Sequence, residues 1–210
     1  MNTHDDKLVE DNKRSCSWLA TYGIVSHLAA TIGAKTILEV GVAYGYHAEY
    51  LLTSLPSIDY IGVDPYTANY DPNDMFSSDV QRIFQEAQGQ DAMDRLFNVV
   101  ERKLSKFQGR AKLVRKKSDM GALDFADESI DLIYIDGDHT YEGVMKDLCA
   151  WWPKVSHYKG LIAGDDISWG GVKAACDDFF IGKGLEYRLI SKNGYEALPF
   201  WYFDFQNRIL

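Results

Sequence analysis

The chain has 210 residues, a formal net charge of −9 and 25% charged residues. That length suits a single domain with a sizeable core, and the acidic balance argues against a nucleic-acid partner. No apolar run approaches the roughly 20 residues of a membrane span, and the polar start MNTHDDKLVEDNKR lacks the apolar stretch of a secretory signal.

Residues 1–16 read as a flexible lead. From Ser17 to Ile32 the apolar positions Trp18, Tyr22, Val25, Leu28 and Ile32 recur at helical spacing, and Gly33 stops that helix. Thr36-Ile37-Leu38-Glu39-Val40 then reads as a buried strand. Gly41 and Gly45 frame a short loop through Tyr44, and a helix begins near Tyr46. A strand that runs through glycines into a helix brings backbone N–H groups close to a ligand. The spacing Gly41-Val42-Ala43-Tyr44-Gly45 lacks the G-x-G-x-x-G of a dinucleotide fingerprint, which disfavours a dehydrogenase.

A second strand, Tyr60–Asp64, ends in a carboxylate 19 residues after Gly45. An acid at that place suits the hydroxyls of a ribose; the plainer reading is a turn before Pro65. Residues 65–108 exceed a simple crossover and read as a helical insertion or lid. It has a loop at 66–72 and two helices, with stripes Val80-Ile83-Phe84-Ala87 and Met93-Leu96-Phe97-Val100-Leu104. Those stripes read as packing, and only the loop as a substrate contact. A basic cluster follows (Arg110, Lys112, Arg115, Lys116, Lys117), read chiefly as a solvated strand end.

The third strand, Ala111–Arg115, leads to Ser118 and Asp119, which suit either a cofactor contact or a helix cap, and then to a short helix over 121–125. Asp131–Asp136 is the fourth strand. Its helix starts near Tyr141, with Val144, Leu148 and Trp152 on one face, and Pro153 closes it. Gly160–Asp166 is the fifth strand, and Val172, Cys176, Phe179 and Phe180 mark the next helix. Two final strands, Leu185–Ile190 and Pro199–Phe205, flank a turn at Asn193-Gly194. The cysteines, Cys16, Cys149 and Cys176, are few and widely spaced, which suits a reducing, cytoplasmic setting.

Alternating strands and helices imply an α/β fold, a doubly wound sheet with a parallel core. Ligands then lie beyond the carboxyl ends of the strands. Glu39, Asp64, Ser118, Asp136, Asp165 and Asp166 all fall there. Asp136, Asp165 and Asp166 would repel one another unless a cation neutralised them, and all-oxygen ligands favour a hard ion such as Mg²⁺. His139 in IDGDHTYE could act as general base, since an ordinary imidazole titrates near the working pH. Asp138 is a second candidate, as base or as orienter of His139. Against this, carboxylates after strands often cap helices, and a lone loop histidine is usually structural.

The combination TILEVGVAYGYH, YIGVDPY, DLIYIDGDHTYEGVMKDL and GLIAGDDI resembles the class I S-adenosylmethionine-dependent methyltransferases with an IDGDH signature. These include macrocin-type and cephalosporin-hydroxylase-like sugar O-methyltransferases and catechol-type relatives. The resemblance covers about residues 18 to 182. It implies a Rossmann-like seven-stranded sheet, mostly parallel with an antiparallel C-terminal strand. It also implies Mg²⁺ on Asp136, Asp165 and Asp166, and a base three residues past the first ligand, where this chain has His139 in place of the catechol type's lysine. Glu39, Gly41, Tyr44 and Gly45 would hold the methionine end of the cofactor, and Asp64 its ribose. Ser118, Asp119 and Asp136 complete the cofactor set. Tyr66, Tyr70 and Trp169 would shape an acceptor site for a small polar molecule, most simply a sugar or glycan hydroxyl. Relatives are often dimers, so a homodimer is a further expectation. The competing readings are a metal-independent methyltransferase and a cofactor-binding module without turnover.

Overall fold

The computed structural model describes residues 3–14, 16, 21–70, 75–191 and 199–208. Residues 17–20 of the first predicted helix, Asp71 and Pro72 of the predicted loop, and the Asn193-Gly194 turn lie outside these residues.

Seven strands form one sheet: β1 Thr36–Val40, β2 Asp59–Val63, β3 Ala111–Val114, β4 Leu132–Ile135, β5 Leu161–Gly164, β6 Arg188–Ile190 and β7 Phe200–Asp204. Their order is β3-β2-β1-β4-β5-β7-β6. The pairings from β3 to β5 are parallel, and β7 runs antiparallel to both β5 and β6. The central strands β4 and β5 are buried at every residue. This explains their unbroken apolar runs, because helices cover both faces of a parallel sheet. Two apolar clusters, one on each face, form the core. The connection order reverses between β1 and β4, which places a crevice beyond their carboxyl ends.

The helices are α1 His4–Lys13, α2 Gly23–Ile32, α3 Tyr46–Ser54, α4 Phe76–Ile83, α5 Gln90–Ser105, α6 Ser118–Ala122, α7 Tyr141–Trp151 and α8 Gly170–Gly182. Three differ from expectation. Residues 4–13, expected to be flexible, form α1 behind a capping box of Thr3 and Asp6. Two charge pairs, Arg95 with Asp5 and Arg102 with Asp6, hold α1 on α5, and the Tyr46 hydroxyl donates to the Val9 carbonyl. Charged side chains had hidden this docking, since α1 buries only Val9 among its apolar residues. Helix α6 starts at Ser118, three residues earlier than expected, with Gly121 seated so tightly on Val63 that a Cβ would stand 2.7 Å from its Cγ1. In α7 the deeply buried tryptophan is Trp151, whereas Trp152 is only half-buried.

Four of the five basic-cluster residues are exposed, as a solvated strand end should be, and its two arginines also brace the fold. Arg110 donates to the carbonyls of Leu52, Leu55 and Ile58 at the end of α3, and Arg115 pairs with Asp94.

Candidate active site

A cavity of about 620 Å³ opens beyond the carboxyl ends of β1, β2, β4 and β5. Its floor is the turn after β1. Gly41 has φ +86°, and a Cβ there would stand 1.9 Å from the Asp136 carbonyl oxygen. Only glycine lets this turn cross so close to the end of β4. Gly45, at φ +66°, sits directly before α3 and packs against Val100, so it shapes the loop without lining the cavity.

Glu39 projects from β1 into the cavity wall yet is almost fully buried. His47 Nδ1 lies 2.8 Å from its Oε1, and the Tyr60 hydroxyl donates to its Oε2. Asp64 is equally enclosed. Its Oδ2 accepts from the backbone N–H groups of Val42 (2.9 Å) and Ala43 (3.1 Å), and its Oδ1 from Tyr66 (2.7 Å). Burial raises its pKa despite these three donors. The acid expected to meet a ribose therefore also ties β2 to the glycine loop. Tyr44 is buried in the wall, stacked on Tyr46.

The other end of the cavity holds Asp136, His139, Asp165 and Asp166. His139 Nε2 lies 3.0 Å from Asp166 Oδ2 and 3.7 Å from Asp136 Oδ1. Burial lowers the imidazole pKa, but the hydrogen bonds and charges of Asp136 and Asp166 outweigh it and push it up to about 11. Two carboxylates therefore favour the protonated imidazole here, in place of the ordinary titration expected from sequence. Burial, then the charges of Asp136 and Asp166, push the Asp165 carboxyl up to about 8. Asp165 Oδ1 accepts from the Asp166 N–H at 2.7 Å, and Asp166 adopts φ +53°, which turns its side chain towards His139. The donor atoms that lie together, within 4.8 Å of one another, come from Asp136, His139 and Asp166. Asp165 stands beside this group, with the Tyr134 hydroxyl 3.5 Å from its Oδ2.

Asp138, expected as base or as orienter of His139, turns its carboxylate to the start of α7. Its Oδ1 accepts from the N–H and hydroxyl of Thr140, which itself caps α7 through the Gly143 N–H. A Cβ at Gly143 would meet the Asp138 carboxyl carbon at 2.2 Å, so a larger residue there would displace that carboxylate. Asp138 still lines the cavity, as do Tyr70 and Trp169, whose ring lies 4.8 Å from that of His139. Tyr66 does not. It is fully buried, gives its hydroxyl to the Ala43 carbonyl and packs on Phe97. Ser118 lines the cavity and accepts from Trp151 Nε1 at 2.7 Å, whereas Asp119 turns to the Met120 N–H and lies outside the wall.

Sequence reasoning missed Asp79 on α4 and Asp147 on α7, both in the cavity wall. Asp147 is 4% exposed, and burial, aided by the charges of Asp138 and Asp119, outweighs a hydrogen bond with Ser118 and pushes its pKa up to about 7. Its signal was available: an aspartate sits inside the apolar stripe of Val144, Leu148 and Trp151.

Residues 38–167, more than half the chain, match the family described as "Methyltransferase domain". No curated protein matches the chain by sequence. Several solved structures share its fold. A Staphylococcus aureus protein provisionally described as a caffeoyl-CoA O-methyltransferase is 15% identical, over 97% of this chain and 93% of its own, with a TM-score of 0.63. CalS11, a TDP-rhamnose 3'-O-methyltransferase of calicheamicin biosynthesis, is 16% identical over 87% of this chain and 78% of its own, with a TM-score of 0.57. The Podospora anserina methyltransferase PaMTH1, solved with S-adenosylhomocysteine (SAH), is 16% identical over 86% and 76%, with a TM-score of 0.54. At such identities these likenesses speak to the fold.

Proposed function

Because the chain belongs to the methyltransferase-domain family, we propose that it is an S-adenosylmethionine-dependent O-methyltransferase acting on a hydroxyl of a small polar acceptor, a sugar before other classes. The observation that carries this reading is the single cavity that joins the glycine loop after β1 to the Asp136–His139–Asp166 cluster. Two of the similar folds are described as O-methyltransferases, one of them on a sugar, and a third holds SAH.

The chain's own residues fit both absent groups. The loop 41–44, with Glu39 and Asp64 beneath it, offers close-approach backbone and two acids where a cofactor's amino-acid and ribose ends would lie. Asp136 and Asp166, with Asp165 beside them, supply the oxygen donors of a hard-cation site, and His139 Nε2 lies among them. A bound divalent cation would acidify an acceptor hydroxyl and fix its direction. His139 would take the acceptor proton only once Asp136 and Asp166 are engaged elsewhere, because their charges keep it protonated. Tyr70 and Trp169 would bound the acceptor. The sparse cysteines suit a cytoplasmic setting, and among the described residues no helix is long and apolar enough to cross a membrane.

The test is a titration of the protein with SAH, paired with turnover of S-adenosylmethionine on hydroxylic acceptors with Mg²⁺ or with EDTA. The proposal expects cofactor binding in both conditions and methyl transfer only with the cation. Turnover that survives EDTA would remove the metal, and absence of cofactor binding would remove the whole reading.

A further inference from the structure

The charge of the cavity carries information about the acceptor. Among the described residues no lysine or arginine lines it, while eight carboxylates do, with two histidines. Three of the eight form the cluster of Asp136, Asp165 and Asp166. Of the other five in the wall, Glu39 and Asp64 are engaged by protein donors at the cofactor end and Asp79 pairs with Arg82, which leaves Asp138 and Asp147 without an ion pair among the described residues. Lys117 is exposed, stands 5.9 Å from the Tyr70 ring and is outside the wall.

A phosphate or carboxylate entering such a cavity would lose water and find as cationic side chain only His139, which Asp136 and Asp166 already hold. It would also meet like charges in a partly enclosed space, where repulsion is less screened than in bulk water. The positive ends of α3 and α7 face the same edge of the sheet, but each amounts to about half a charge. Groups already in the wall register this negative field. Burial and the charges of Asp147 and Asp138 raise the Tyr70 hydroxyl to about 12. A protonated amine would find the reverse conditions, with carboxylates near and with the aromatic rings of Tyr70, Phe76 and Trp169 in the same wall.

We infer that this cavity selects its acceptor against negative charge: the acceptor is a small hydroxylic molecule without phosphate or carboxylate groups, and an amine-bearing one binds best. The inference rests on the cavity being the methyl-transfer site proposed above. It names what that site takes.

The test uses two matched series, glucosamine, glucose and glucose 6-phosphate, and tyramine, 4-methylphenol and 4-hydroxyphenylacetate. Each is titrated by saturation-transfer NMR into the full chain loaded with SAH, with and without Mg²⁺. Within a series the amine should bind roughly tenfold or more tightly than the anion, with the neutral member between. Added salt should shrink that gap. Asp79→Lys should narrow it too. Asp79 is a rim residue whose side chain pairs with exposed Arg82 and has no part in the proposed chemistry. An anion that binds as well as its amine, or no binding by any member at millimolar concentration, overturns the inference. Because acceptor binding is read without turnover, it is separable from the methyl-transfer reading, which fails if S-adenosylmethionine is not bound or no hydroxylic acceptor is methylated.

Discussion

The two ends of the cavity hold carboxylates in opposite conditions. At the β1–β2 end, Glu39 and Asp64 have every oxygen engaged by partners from the protein itself: His47 and Tyr60 for one, three backbone N–H groups for the other. At the β4–β5 end, Asp136 and Asp166 share one imidazole, and Asp165 beside them is pushed up to about 8 by burial and by its two neighbours. A buried acid with donors on both oxygens is part of the architecture. A crowded set without enough positive charge is poised for a ligand to complete it. Carboxylates that look alike as sequence therefore do different work.

The largest effect that could break this contrast is on turnover. Asp136→Ala should cut methyl transfer on the order of a thousandfold. Its affinity for SAH should stay near that of the parent, and its thermal stability should hold or rise, because a repelling charge has gone. Calorimetry and thermal melting check both halves. A fall in stability comparable to that of the next variant would show that the β4–β5 end is as self-satisfied as the other.

Glu39→Ala probes the satisfied end. It leaves the His47 imidazole and the Tyr60 hydroxyl buried without their partner, which should cost about 3 kcal/mol of folding free energy. Urea unfolding measures that loss, and cofactor affinity should drop with it. A stable variant with only weaker cofactor binding would mean that Glu39 acts on the ligand alone and not on the frame.

The same contrast explains what could be read in advance. The strand tips were legible because a parallel, doubly buried strand declares itself by an unbroken apolar run, and whatever follows it faces the crevice. Hence Glu39, Asp64, Asp136, Asp165 and Asp166 were all placed at cavity level from the sequence. What each carboxylate bonds to was not legible, because the partners come from distant segments: Tyr60 lies on the neighbouring strand and Val42 in the turn across from Asp64. Tyr66 was misjudged for a similar reason. It follows a strand like a site residue, but its φ of +46° turns it back into the core beside Phe97. Helix α1 was missed because its docking rests on Arg95 and Arg102, some 90 residues away in sequence.

Asp147 decides how far the frustrated region extends. It lies in the wall beside Ser118 and Gly137, and burial pushes its carboxyl up to about 7 from the ordinary 3.8. Below pH 4 the carboxyl is neutral in both folded and unfolded chains, so it imposes no penalty. As pH rises from about 4 to 7 the unfolded chain ionises first. The folded state is then increasingly disfavoured, and above 7 it carries a buried charge at full cost. Asp147→Asn keeps the shape and removes the titration. The variant should match the parent near pH 4 and exceed it at pH 8 by about 2 kcal/mol, roughly half of what the full shift converts to, because water entry and relaxation damp such penalties. Urea unfolding at the two pH values gives the difference directly. If the variant is instead the less stable at pH 8, the carboxylate has a stabilising partner there, and the unsatisfied charge is confined to the β4–β5 tips.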